Sequence, residues 1–135
     1  AMPWAMTAHI VYAAIDDRAP ATFSRRVIDT IIRGEIGFDG VLLSDDISMG
    51  ALQGTLAERT SRALDAGCDL VLHCSGMLPE MTEIAETAPP ISPPTAARIA
   101  RGEALRVGRS AQFDRVDAER RFAELMALAE GRARA

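Results

Sequence analysis

The sequence has little cysteine, few aromatic residues and no long apolar run. Cys68 and Cys74 are the only two cysteines among 135 residues. The residues between them are predicted to be extended, which would separate their Cα atoms by roughly 20 Å, far beyond disulfide reach. We therefore expect two free thiols, both buried as small apolar groups. No stretch approaches the roughly 20 apolar residues that cross a bilayer, so no membrane segment is predicted.

The charge balance offers no basic surface. The formal net charge is -4, and the chain is 48% hydrophobic and 25% charged, which is typical of a soluble globular domain. We predict no nucleic-acid partner, because such partners are bound by clustered Lys and Arg. No signal peptide is visible, which favours the cytoplasm. Cys68, His73 and Cys74 fit no usual zinc-ligand spacing, so no metal is predicted.

The apolar pattern alternates between short strands and helices. Strands are predicted over 4–10, 41–44 and 70–74, and helices over 25–36, 55–66 and 78–88. Thr22 or Ser24 is expected to cap the first helix, while Gly37 and Gly67 are expected to end the first and second helices. Such an alternation predicts an α/β fold with parallel strands. The pattern alone fits either a small doubly wound sheet or part of a barrel.

Proline-rich segments at 89–90 and 93–94 interrupt this pattern and suggest a division into residues 1–91 and 92–135. The second part is predicted to contain helices over 95–107 and 114–129, joined through 108–110, that pack on the main body. Several arginines lie near its end: Arg120, Arg121, Arg132 and Arg134. We interpret them as a solvated helical face rather than a polyanion site.

The most informative stretch is residues 37–49, which reads GFDGVLLSDDISM. A short apolar strand ends here in two adjacent carboxylates, Asp45 and Asp46. The carboxyl ends of parallel strands are where ligands bind in α/β proteins, so a carboxylate there is a candidate nucleophile or general base. The alternative is an Asx-turn or helix cap. It is more convincing for Asp46 or Ser48, because neighbouring strand residues point to opposite faces.

This stretch resembles the nucleophile segment of glycoside hydrolase family 3, in the form found in bacterial β-N-acetylglucosaminidases of peptidoglycan recycling. Upstream, MTAHIVY at 6–12 and the Pro20, Ala21, Thr22 and Ser24 positions resemble the preceding strand and loop. Downstream, AER at 57–59 and ALDAGCD at 63–69 resemble the next helix and strand. The similar segments keep the family's order and spacing over residues 6–75.

The resemblance implies that residues 1–91 form the last three β/α units of a (β/α)8 barrel, followed by C-terminal helices. It implies that Asp45 attacks the anomeric carbon and forms a covalent glycosyl-enzyme. His9, at the end of the first strand, and Met49 are expected to line the sugar site. The alternative interpretations are a structural role for His9 and a space-filling role for Met49. The implied reaction removes terminal N-acetylglucosamine from muropeptide fragments, without a cofactor.

The chain departs from the family in one respect. The family carries a Lys-His pair and a histidine acid/base earlier in the polypeptide, and neither His9 nor His73 stands in such a context. We therefore expect the chain to need a complementary N-terminal barrel segment or self-association, since a three-strand slice leaves two unpaired edges. Two alternatives stay open: a catalytically incompetent assembly module, and a small doubly wound domain that holds Mg²⁺ with Asp45 and Asp46. Against the second stands the lack of a glycine-rich phosphate loop.

Overall fold

The computed structural model describes residues 2–109 and 113–133 and has an α/β fold around a small parallel sheet. The strands are β1 (Trp4–Met6), β2 (Val41–Asp46) and β3 (Leu70–Leu72). The helical elements are a 3₁₀ turn (Ala21–Phe23), a π-helix (Val27–Glu35), α1 (Leu56–Ala66), α2 (Leu78–Thr87), α3 (Pro93–Arg109) and α4 (Arg115–Ala133). The predicted alternation of strands and helices is confirmed.

The three strands lie side by side in chain order. Trp4 is opposite Val41 where β1 pairs with β2, and Leu43 is opposite Leu70 where β2 pairs with β3. Both pairings are parallel, as predicted, and the register is irregular between Leu43 and Asp46. Each connection moves to the next strand in the same direction. With the usual right-handed crossovers, this order places the connecting helices over one face of the sheet.

The main core lies between β2 and these helices. Leu42 packs against Ile28 of the π-helix and Ala63 of α1, and all three are almost fully buried. A second cluster joins Ile47, just after β2, to Ile84 of α2. Apolar side chains of the helices therefore cover the strand that carries the two candidate carboxylates.

Asp69, immediately before β3, is the centre of a buried ionic cluster. Its Oδ2 accepts hydrogen bonds from Arg33 Nη2 at 2.7 Å and the Leu42 amide at 2.9 Å. Its Oδ1 accepts from the Thr95 hydroxyl at 2.9 Å and Arg98 Nη1 at 2.8 Å. Burial alone would raise the pKa of this carboxyl, but these hydrogen bonds and the Arg98 charge hold the pKa below its usual value. One carboxylate thus joins the π-helix, β2, β3 and α3.

The chain divides into two compact units, residues 1–105 and 106–135. In the second unit, α4 carries ion pairs from Arg120 to Asp117 and Glu124, and it leaves Phe122 and Leu125 largely exposed. The predicted arginine face includes Arg132 and Arg134, which lie outside the described side chains. The predicted boundary after residue 91 stays a prediction.

Strand lengths differ from those predicted. β1 ends at Met6 rather than residue 10, because the backbone groups of Ala8 and Ile10 bond to Thr22 and Ala21 instead of to the sheet. His9 therefore lies in the loop after β1 and not at the end of the strand. β2 runs two residues longer than predicted, through Asp46, whereas β3 ends at Leu72.

The predicted cap and ends of the first two helices are found in the structure, but the type of the first helix differs from the prediction. Ser24 Oγ accepts from the Val27 amide at the start of the first helical segment, and Gly37 and Gly67 adopt positive φ angles where helices end. Most of that segment is a π-helix, whereas the sequence pattern predicted only a helix over 25–36.

The predicted break at 108–110 is wrong for the part of the chain that the structure describes, because α3 continues through Arg109, while Ser110 lies outside the described residues. Both cysteines are free, and Cys68 is buried as predicted. The prediction for Cys74 is wrong, because β3 has ended before it and leaves it exposed. None of the helices within the described residues has the length and apolar character needed to cross a membrane.

Replacing Asp69 with Asn should lower the free energy of unfolding at neutral pH by about 3 kcal/mol, because two arginines would lose a buried partner. The pKa of Asp69 is lowered by folding, so its contribution is complete above the ordinary Asp pKa and disappears as the pH falls through the lower folded value. Denaturant unfolding of both proteins across this acidic range measures the difference.

Asp39→Asn is the matched control. Asp39 also pairs with Arg98 and Arg101, but its side chain is 74% exposed, so the loss should be about 0.5 kcal/mol. Equal losses in the two variants would contradict the central role of Asp69.

Candidate active site at the carboxyl end of β2

Asp45 and Asp46 are the last two residues of the central strand. Both follow the irregularity in the pairing of β2 with β3 that begins after Leu43, so their own contacts, rather than strand alternation, define their surroundings. Both carboxylates are partly buried. The central position of β2 brings the segments that follow β1 and β3 close to them.

Asp46 fixes the turn after β2. Its Oδ1 accepts from the Ser48 amide at 2.9 Å and the Cys74 amide at 3.3 Å, and its Oδ2 accepts from the Ser48 hydroxyl at 2.7 Å. Desolvation raises the pKa of Asp46, but these hydrogen bonds, aided by nearby His73, outweigh it and lower the pKa below its usual value. This is the Asx-turn geometry that the sequence offered as an alternative for this position.

Asp45 is much less engaged. Its Oδ1 accepts one hydrogen bond, from the Asp46 amide at 2.8 Å. Among the described residues, no other group hydrogen-bonds to this carboxylate. An ionised carboxylate can accept several hydrogen bonds, so Asp45 retains the capacity to contact a substrate.

His9 reaches the same strand end from the loop after β1. Its Nε2 lies 2.8 Å from the backbone oxygen of Asp46, and its Nδ1 lies 2.8 Å from Thr22 Oγ1. Thr22 Oγ1 in turn lies 2.9 Å from Thr7 Oγ1, and both threonines are buried. The structure thus brings His9 to the backbone of the residue after the candidate nucleophile, with both ring nitrogens within hydrogen-bond distance of protein atoms.

Met49 lies in the loop between β2 and α1 and is 44% exposed. Arg59 of α1 holds this loop by donating to the backbone oxygens of Ile47 at 2.8 Å, Met49 at 3.3 Å and Gly54 at 3.0 Å. Met49 therefore follows Asp45 on a loop whose backbone is anchored. Arg59 was not among the predicted site residues; its position one turn into α1, after a loop that contains Gly50 and Gly54, was the available signal.

His73 follows β3 and lies on the other side of Asp46. Its Nε2 is 2.9 Å from Glu80 Oε2 and 2.7 Å from Ser75 Oγ. Its side chain is 6% exposed, and its Nδ1 has no hydrogen-bond partner but faces Asp46 Oδ1 at 3.9 Å. His73 therefore lies between Asp46 and the Glu80 and Ser75 side chains, where it supports the segment that follows β3.

No group of three or more His, Cys, Asp or Glu side chains within the described residues is arranged to hold a metal ion. The oxygens of Asp46 are used in the turn, which leaves Asp45 as the carboxylate available for a reaction. An α/β protein with such a carboxylate at the carboxyl end of a central parallel strand fits a class of enzymes that attack or deprotonate a bound substrate.

Comparison with known proteins shows which family of enzymes this is. The family described as "Glycosyl hydrolase family 3 N terminal domain" matches residues 2–100, which include all three strands and the candidate site. The chain belongs to this family, and the resemblance read from the sequence is confirmed.

Similar proteins carry related names. A β-hexosaminidase from Bordetella avium is 39% identical over 102 residues, which are 74% of this chain and 28% of that protein. A β-N-acetylhexosaminidase structure from Beutenbergia cavernae aligns with a TM-score of 0.59 at 31% identity, covering 76% of this chain and 33% of that chain. A glycoside hydrolase family 3 β-N-acetylglucosaminidase from Paenibacillus aligns with a TM-score of 0.60 at 26% identity, covering 83% and 24%. The chain therefore spans about a quarter to a third of the length of these relatives.

Replacing Asp46 with Ala should lower the free energy of unfolding by about 2 kcal/mol, because three donors lose a charged acceptor. Since folding lowers the pKa of Asp46, this loss should be full near neutral pH and should shrink as the pH falls through the folded pKa. Hydrogen exchange at the Ser48 and Cys74 amides should become faster. Asp65→Ala, at an exposed position in α1, is the control and should change neither exchange rate.

Proposed function

We propose that this chain is the nucleophile-bearing part of a retaining β-N-acetylglucosaminidase. The observation that carries the proposal is the geometry of Asp45, a carboxylate at the carboxyl end of the central strand with one hydrogen bond among the described residues. The family match and the names of the relatives support a glycoside as the substrate.

In this mechanism Asp45 attacks the anomeric carbon while the bond to the leaving oxygen breaks, and a covalent glycosyl-enzyme forms. An acid must protonate the leaving oxygen, and the same group then activates the water that releases the sugar. The family resemblance assigns that acid/base to a histidine from a segment earlier than those matched here. We propose that His9 and Met49 line the sugar site.

We propose terminal N-acetylglucosamine of peptidoglycan fragments as the substrate and the cytoplasm as the location. Both rest on the resemblance of residues 37–49 to cell-wall recycling enzymes. The exposed Met49 side chain offers an apolar surface against which a sugar ring could lie. No cofactor is proposed, because a carboxylate nucleophile and an acid/base suffice for this reaction.

We further propose that the three β/α units are the last three of a (β/α)8 barrel and that another polypeptide segment, or a second copy, completes it. Strands in chain order agree with a barrel slice, because barrel strands follow one another around the sheet. β1 and β3 are the sheet edges, and Trp4 and Met6 on β1 are 36% and 52% exposed. Open apolar edges of this kind favour association.

Asp45→Asn should reduce hydrolysis of an aryl N-acetylglucosaminide by at least about 10⁴-fold, because an amide cannot form the glycosyl-enzyme. The measurement is steady-state release of the aryl group by the chain in its assembled form. Asp65→Asn, which changes an exposed α1 carboxylate, is the control and should retain the parent rate. Unchanged turnover in Asp45→Asn would overturn the assignment of the nucleophile.

Intact and native mass measurements test the need for a partner. A purified preparation that holds the 14.5 kDa chain alone as a monomer should show no turnover. A preparation with a second polypeptide that supplies the remaining strands should be active. Activity in the isolated monomer would contradict the proposed assembly. Inactivity even after the barrel is completed would favour the alternative of an incompetent assembly module.

A further inference from the structure

We infer that His9 is a positioning residue for the reaction at Asp45, acting through the backbone of Asp46 as a neutral imidazole with its proton on Nε2. This inference rests on the proposed function for its catalytic consequence, whereas its protonation pattern can be tested independently. It assigns His9 a narrower role than lining the sugar site.

The hydrogen-bond partners fix where the proton lies. The backbone oxygen of Asp46 can only accept, so His9 Nε2 must donate across the 2.8 Å contact. In the neutral ring Nδ1 must then accept, and the Thr22 hydroxyl is its donor at 2.8 Å. Because the Thr22 proton is used there, the Thr7 hydroxyl donates to Thr22 Oγ1 at 2.9 Å. With the neutral ring that we infer, each proton in these three hydrogen bonds has one position.

These hydrogen bonds connect two buried threonines to the end of β2 that carries Asp45. Thr22 is fully buried and Thr7 nearly so, and the Thr7 amide also donates to the Leu43 backbone oxygen at 2.8 Å. His9 extends this buried anchor across to the carbonyl of Asp46, in the peptide unit that joins Asp46 to Ile47. The amide of Asp46 donates to Asp45 Oδ1, so fixing Asp46 also fixes the direction of the Asp45 carboxylate.

This arrangement leaves His9 without a free nitrogen for proton transfer to a substrate. Nε2 would have to release the Asp46 carbonyl, and Nδ1 would have to release Thr22, before either could reach a leaving oxygen. The acid/base of the proposed reaction must therefore come from another group, and the value of His9 lies in holding the nucleophile in an attacking geometry.

Nuclear magnetic resonance tests the proton pattern. The chain is labelled with ¹⁵N-histidine in the form used for the activity measurement, and His73→Gln is prepared so that His9 alone gives signals. A long-range ¹H–¹⁵N spectrum at neutral pH should show a single neutral tautomer with the proton on Nε2. A proton on Nδ1, or averaging between tautomers, would overturn the inference whether or not the preparation is active.

Kinetics test the positioning role. His9→Ala should lower kcat by about 10- to 100-fold with a change of less than about threefold in KM, since misplacing a reacting group by 1 Å can cost about 100-fold. His9→Gln keeps a donor near the Nε2 position and should restore kcat to within about threefold of the parent. Melting temperatures of both variants are measured to confirm that they are folded.

The outcomes separate this inference from the proposed function. If His9→Gln is folded but has the same kcat loss as His9→Ala, or if the loss lies in KM, the positioning role is wrong. If Asp45→Asn retains full activity while the tautomer is the one assigned, the proposed nucleophile fails and the hydrogen-bond chain of His9 stands.

Discussion

The hydrogen bonds accepted by the Asp69 carboxylate hold the π-helix, β2, β3 and α3 together, and the rest of this end of the fold depends on them. Asp69 precedes β3, and its carboxylate meets Arg33 from the π-helix, the amide of Leu42 in β2 and Arg98 from α3. Arg33 also donates to the backbone oxygens of Phe38 and Gly40, which lead into β2. A buried charge is tolerated only with such partners, so the position of each element at this end of the sheet constrains the others.

This ionic cluster lies at the amino ends of the strands, whereas Asp45 lies at the carboxyl end of β2. Barrel enzymes commonly separate the two ends in this way, with stability at one end and chemistry at the other. β2 connects them within six residues, from Val41 to Asp46. Because Leu42 is held by the Asp69 carboxylate and by core packing, the register of the first part of β2 is fixed, up to the irregularity that begins after Leu43.

The sequence was most informative where local pattern and structure coincide. Val41, Leu42 and Leu43 predicted a buried parallel strand, Gly67 predicted a helix end, and residues 37–49 pointed to the family that the comparisons confirm. The shortened β1 could not be predicted, because Ala8 and Ile10 bond to a loop more than ten residues further on. The partners of His9 were missed for the same reason: hydrogen bonds to Thr22 and to the Asp46 carbonyl depend on tertiary structure and leave no periodic signal.

The two carboxylates at the end of β2 differ in how many hydrogen bonds they accept, and this difference bears on the proposed assembly. Asp46 has its hydrogen-bond donors within one turn and one neighbouring strand, so its environment is complete. Asp45 has one described donor, yet a nucleophile that must remain ionised next to a sugar requires several. In a closed barrel, donors for the inward face of β2 would come from strands opposite the three present here. The under-coordinated carboxylate and the open sheet edges are both what the proposed complementary barrel segment would account for.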